Sequence, residues 1–244
     1  MSDPMSNPLQ SFADPEALAH YAAQWLCNRA LAGAGNFAIC LSGGSTPRRL
    51  YEVLAEPAMA AQMPWDRCHW FFGDERFVPH DHPDSNFRMV REALLAHAPI
   101  PSANIHPVPT EGLSPQEAAL AYEATLKRYY GADAIDPGRT LFDVTLLGLG
   151  EDGHTASLFP GHPVLHETQH WAAAVIGAKS EARITLTYPA LDSSAEVAFL
   201  ATGRSKRDIL GRVCAGDRSL PAMGVHPAGR LHWFVDRAAL PEPR

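Results

Sequence analysis

Apolar residues in this chain fall into blocks that either repeat at the helical period of about 3.6 residues or form short unbroken runs, the signatures of helices and buried strands. Residues 1–12 show neither pattern and read as a loose lead-in. Asp14-Pro15 then opens a helix in which Leu18, Tyr21, Ala22, Trp25 and Leu26 recur at helical spacing, and Gly33 to Gly35 end it. The run Phe37-Ala-Ile-Cys-Leu41 fits a buried strand that breaks at Gly43-Gly44. A helix follows through Leu54, with Thr46 as its N-cap and Pro47 in its first turn.

The alternation continues to the end of the chain. Strands are predicted at His69–Phe72, Leu141–Leu147, Trp171–Ile176, Arg183–Thr187, Glu196–Ala201 and Leu231–Val235. Helices are predicted at Ser85–Leu95, Ser114–Tyr130 and Gly203–Val213, with a short one closing the chain. Strands interleaved with amphipathic helices imply an α/β fold, a three-layer αβα sandwich around a mainly parallel sheet. With no internal repeat and no linker, residues 1–244 read as one domain. Ligands of such sheets bind beyond the carboxyl ends of the strands, so the loops there are where chemistry is to be sought.

Composition narrows the function classes. At 46% hydrophobic over 244 residues the chain can build a substantial core. Its net charge of −7 argues against nucleic-acid binding, and means that a site for an anionic substrate must gather positive charge locally. No apolar run approaches the ~20 residues that span a bilayer, and no secretory signal is visible, so cytoplasm is the expected location. Cys27, Cys40, Cys68 and Cys214 form no CxxC pair and read as small buried hydrophobes in a reducing compartment.

Three loops carry candidate chemistry. In Ser42-Gly43-Gly44-Ser45-Thr46-Pro47 the glycines permit close backbone approach, the following helix offers free N–H groups, and the hydroxyls add donors, which together suit a phosphate. A plain capped turn would use the same residues. The second loop carries Asp74, Glu75 and Arg76 just past a strand, with Ser85 and Asn86 opening the next helix; Arg76 could clamp a phosphate or carboxylate, and a solvated charge cluster is the bland alternative. His80 and His82 lack a second group at zinc-like spacing and read as surface histidines. In the third loop Gly148, Gly150 and Gly153 formally match a dinucleotide fingerprint, but Pro160 cuts the following helical stretch short and no acid ends a next strand. What remains is a tight turn presenting Asp152 and His154, a carboxylate beside the side chain best suited to proton exchange near neutrality.

Taken together, Ser42-Gly-Gly-Ser-Thr-Pro47, Gly73-Asp-Glu-Arg76 with His82-Pro-Asp-Ser-Asn86, and Gly148-Leu-Gly-Glu-Asp-Gly-His-Thr-Ala-Ser-Leu-Phe-Pro160 resemble the signature segments of the 6-phosphogluconolactonases. Arg183-Ile-Thr-Leu-Thr187 and Gly203-Arg-Ser-Lys206 resemble later family segments, so the likeness spans nearly the whole chain. It implies a glucosamine-6-phosphate isomerase-like fold and hydrolysis of 6-phospho-D-glucono-1,5-lactone in the oxidative pentose phosphate pathway, without metal or cofactor. By the same likeness His154 is the general base, and the Ser42–Thr46 loop, Arg76 and Lys206 hold the 6-phosphate. Arg76 and loop N–H groups could also steady the oxyanion, and Asp152, Glu75 and Asp74 all remain candidates for the partner of His154. A related amino-sugar phosphate deaminase would need a carboxylate soon after the histidine, and Thr155–Pro160 contains none. A non-catalytic sugar-phosphate sensor would keep the anion loop but would not need His154, and a zinc hydrolase would need metal.

Overall fold

A computed structural model of the chain describes residues 9–242; most of the expected lead-in lies outside them. The main sheet has six strands, all parallel, in the order β1-β9-β8-β5-β2-β3: β1 (Gln10–Phe12), β2 (Phe37–Leu41), β3 (Cys68–Phe72), β5 (Phe142–Gly148), β8 (Ser194–Ala201) and β9 (Arg230–Asp236). Every residue of β2 is buried, which requires cover on both faces and explains its unbroken apolar sequence. The helices supply that cover. Helix α1 (Pro15–Ala32) begins at Asp14, whose side chain accepts from the Ala17 N–H, and it packs against α2 (Ser45–Ala55). A short α3 (Pro57–Ala60) follows, which the pattern did not signal. Helix α5 (Pro115–Tyr130) carries a full capping box, Ser114 with Glu117, and ends at Gly131 in the left-handed region.

Beside the expected parallel sheet stands a second, smaller sheet that the strand pattern did not separate from it. It has three antiparallel strands in the order β4-β7-β6, namely β4 (Asp74–Arg76), β7 (Arg183–Leu186) and β6 (Ala172–Val175). The segment Asp74–Arg76, expected as a loop, is therefore a strand. Its charged residues hid this, because no apolar alternation can show in three charged positions.

Other boundaries also shift. Gln10–Phe12, expected to be loose, pairs with β9, and Phe12 packs its ring on Tyr21 at 4.7 Å. Three residues are too few to display a period. The expected helix from Ser85 divides into α4 (Asn86–Val90) and a wider π turn over Arg91–Leu95. Helices α6 (Tyr188–Asp192) and α7 (Arg207–Cys214) flank β8, α7 being preceded by a 3-10 turn at Arg204–Lys206. The closing helix is replaced by a turn after β9, because Asp236 ties down the Ala239 N–H and Pro241 blocks extension. Cys27, Cys40 and Cys68 are buried, but Cys214 is exposed, at the end of α7. Among the described residues no helix is long and apolar enough to cross a membrane.

Candidate active site

A cleft of about 370 Å³ opens at the carboxyl ends of β2, β5 and β8, where parallel-sheet proteins place their ligands. The Ser42–Thr46 turn forms one wall and the Gly148–Ala156 segment another. The two loops picked out in the sequence thus share one cavity.

The Ser42–Thr46 turn departs from expectation in one detail. Helix α2 starts at Ser45, and its N-cap is Gly44 at φ 105°, not Thr46. Thr46 instead meets Thr202, just past β8, through their hydroxyls at 2.6 Å. Gly43 sits against Asn86, and a Cβ there would lie 2.0 Å from the Asn86 amide oxygen, so only glycine fits. No acidic residue stands in the first turn of α2, so nothing on the helix offsets the positive end of its dipole.

On the histidine loop, Asp152 is the partner of His154. Its Oδ1 lies 2.5 Å from the ring Nδ1 and accepts the His154 backbone N–H at 3.0 Å. Burial pushes the Asp152 carboxyl up, but these bonds win and hold it below the usual carboxylate range. A Cβ on Gly150 would fall 2.0 Å from His154 Nδ1, which is why the turn has glycine there. With Nδ1–H directed at Asp152, a neutral imidazole has its lone pair on Nε2. The ring also tilts against Phe159 at 4.7 Å, and among the described residues nothing bonds Nε2.

Glu75 and Asp74 take other places. In β4 the side chains alternate between faces. Asp74 and Arg76 line the cleft, while Glu75 turns into the core, where it accepts the N–H groups of Arg76, Asn86 and Phe87 and the Ser85 hydroxyl. Burial raises its pKa against those bonds. Glu75 is therefore not a cleft residue. It anchors the start of α4, while Ser85 caps that helix by accepting from the Arg88 N–H, as expected. Asp74 accepts from Ser157 at 2.6 Å and from Asn86 at 3.3 Å. His80 and His82 are engaged locally, with the Val108 carbonyl and the Asp84 N–H.

Two cleft cations escaped the sequence reading. Arg183 lies directly opposite Arg76 across the β4–β7 pair, and both keep a buried Nε without a partner among the described residues. Burial, and after it the charge of Arg76, lowers the pKa of Arg183. An anion entering the cleft would satisfy both guanidiniums. Lys179 also lines the cleft, its ammonium over the Phe159 ring at 5.2 Å, and Lys206 reaches the same cavity from the turn before α7. The positive charge that a −7 chain needs for an anionic ligand is gathered here.

Comparison with known proteins places this geometry in context. The family model described as glucosamine-6-phosphate isomerases/6-phosphogluconolactonase matches residues 13–233. A 6-phosphogluconolactonase of Synechocystis is 44% identical over 216 residues, 86% of each chain. One from Rattus norvegicus is 36% identical over 98% of this chain and 95% of its own. The crystal structure of 6-phosphogluconolactonase from Thermotoga maritima superposes with a TM-score of 0.79 at 31% identity, over 94% of this chain and 99% of that one.

Proposed function

Because the chain belongs to the glucosamine-6-phosphate isomerase/6-phosphogluconolactonase family, we propose that its cleft hydrolyses 6-phospho-D-glucono-1,5-lactone to 6-phosphogluconate, the ring-opening step of the oxidative pentose phosphate pathway. The substrate is a small phosphorylated lactone and not a nucleic acid, and the free thiols suit a reducing compartment such as the cytoplasm. One observation carries the mechanism: an Asp-held histidine with an open Nε2 shares its cavity with an anion cradle.

A lactone carbonyl is reactive enough for direct attack by water. His154 Nε2 accepts a proton from that water as its oxygen bonds C1, and Asp152 stabilises the imidazolium. The tetrahedral oxyanion then collapses, the bond from C1 to the ring oxygen breaks, and His154 returns the proton to that oxygen. The 6-phosphate rests on the N-terminus of α2 and the Ser42–Thr46 turn, with Lys206 and the Arg76–Arg183 pair supplying charge. A deaminase would need a free acid beside the histidine. Asp74, the carboxylate lining the cleft, is bound by Ser157 and Asn86.

The direct test is acid release from freshly generated 6-phosphogluconolactone at controlled pH, measured against spontaneous hydrolysis. Acceleration that survives chelation is expected. A rate equal to the uncatalysed one, or ammonia released from glucosamine 6-phosphate at a comparable rate, would overturn the reading.

A further inference from the structure

Two fully buried tyrosines make the same unusual contact on adjacent strand ends. Tyr51, in α2, receives the Ser42 backbone N–H at 3.0 Å and donates its hydroxyl to the Ser42 carbonyl at 2.9 Å. Tyr122, in α5, does the same to Phe72, at 2.7 and 2.9 Å. In each case one hydroxyl satisfies both backbone groups of a single residue where the strand ladder runs out. Burial raises both phenol pKa values, so each hydroxyl keeps its proton and remains a donor.

The two brackets differ in what lies beyond them. After Phe72 the chain is fastened again at once. The Gly73 N–H donates to the Leu41 carbonyl, the Gly73 carbonyl accepts from Leu186, and Asp74–Arg76 pair with β7. After Ser42 the chain enters Gly43-Gly44, and among the described residues its backbone joins no strand pairing before α2 begins. Tyr51 also belongs to the helix whose N-terminus forms the other end of that turn. Its hydroxyl therefore fixes the start of the anion loop to the body of the same helix, setting the distance between Ser42 and the free N–H groups of Ser45 and Thr46.

We infer that Tyr51 is a positioning residue for anion binding, holding the Ser42–Thr46 cradle in its binding shape before the phosphate arrives, whereas Tyr122 is a brace for the sheet edge. The inference rests on reading that loop as the phosphate cradle. It predicts an effect on ligand affinity with little effect on the chemical step, because the His154–Asp152 pair stands on another loop with no bond to Tyr51.

The test compares Tyr51→Phe with Tyr122→Phe, which each lose one hydroxyl and leave equivalent backbone groups unpaired. Inorganic phosphate affinity, KM and kcat for 6-phosphogluconolactone, and Tm are measured for both. Tyr51→Phe is expected to weaken phosphate and raise KM by about tenfold, with kcat within about twofold, since a preformed cradle spares the ligand the ordering of its loop. Both variants are expected to lower Tm to a similar extent, while in Tyr122→Phe phosphate affinity stays within about twofold. Unchanged phosphate affinity in Tyr51→Phe, or equal weakening in both variants, overturns the inference. A wild-type protein without lactone hydrolysis whose phosphate binding still depends on Tyr51 would sink the enzymatic reading and uphold this one. Should Tyr51→Phe fail to fold, amide exchange in the wild type decides: the Ser42 N–H must be protected before phosphate is added, and fast exchange there overturns the inference.

Discussion

The six-stranded parallel sheet offers its reactive groups to the cleft from loops beyond the strand ends, while the three-stranded antiparallel sheet offers its own from within the strands. His154 and the Ser42–Thr46 turn belong to the first kind, and Asp74, Arg76 and Arg183 to the second. A loop group is placed by its turn and can differ from its neighbours in direction. A strand group is placed by alternation, so a shift of one position turns it from the cleft to the core. Under the proposed function, proton transfer falls to the loop side and fixed charge to the strand side.

The largest effect should come from the loop side. His154→Ala or His154→Gln is expected to lower kcat by about 10²–10⁴-fold with KM little changed, the span typical of a lost general base. Steady-state kinetics would show it, and near-normal turnover would remove this histidine from the mechanism.

On the strand side, Arg183→Ala should raise KM for the phosphorylated lactone by about 10–100-fold, the equivalent of one or two charge-assisted hydrogen bonds. Lys at the same position should recover part of it. If KM stays put, the second sheet contributes scaffold and not charge, and the contrast between the sheets fails.

Glu75→Gln probes the other face of β4. Its carboxylate serves backbone donors of α4, so the amide should cost about 1–3 kcal/mol of stability in denaturant unfolding. Both kinetic constants should remain within about twofold. A large kinetic effect would mean that the alternation separating Glu75 from Asp74 and Arg76 does not govern function.

The smallest effect on catalysis lies at the edge of the parallel sheet, where His69 and His106 stack outside the cleft with their ring nitrogens 3.1 Å apart. Burial, aided by His69, pushes the His106 pKa down to about 4. The unfolded chain takes up this proton near pH 6.5 and the folded one near 4, so between those values the unfolded state binds more protons. The contribution is full above about pH 6.5 and is lost as the pH falls toward 4. His106→Phe should flatten that part of the stability curve, measured by urea unfolding across pH, and an unaltered slope would place the acid sensitivity elsewhere.

The same contrast governs what the sequence could disclose. Ser42–Thr46 and Gly150–His154 stood out because tight turns impose a residue type: a Cβ at position 43 or 150 would collide with Asn86 or with the His154–Asp152 pair. The parallel strands showed themselves as apolar runs. Arg183 gave no such signal, because its partner across the sheet is more than a hundred residues away in the chain and only pairing brings the two guanidiniums together. Glu75 could not be distinguished from Asp74 and Arg76 until the segment was known to be extended. Of the three carboxylates that could have served His154, only Asp152 shares its turn, and the 2.5 Å contact follows from that closeness.

Strand β1 closes one margin of the large sheet by pairing Gln10–Phe12 with Phe234–Asp236. A chain trimmed to begin at position 13, where the family match starts, would retain every cleft residue and yet leave the outer backbone of β9 without a neighbour. Such an uncovered rim is a template on which other copies can add. Shortened versions of this protein should therefore fail first by clumping, well before they fail as catalysts.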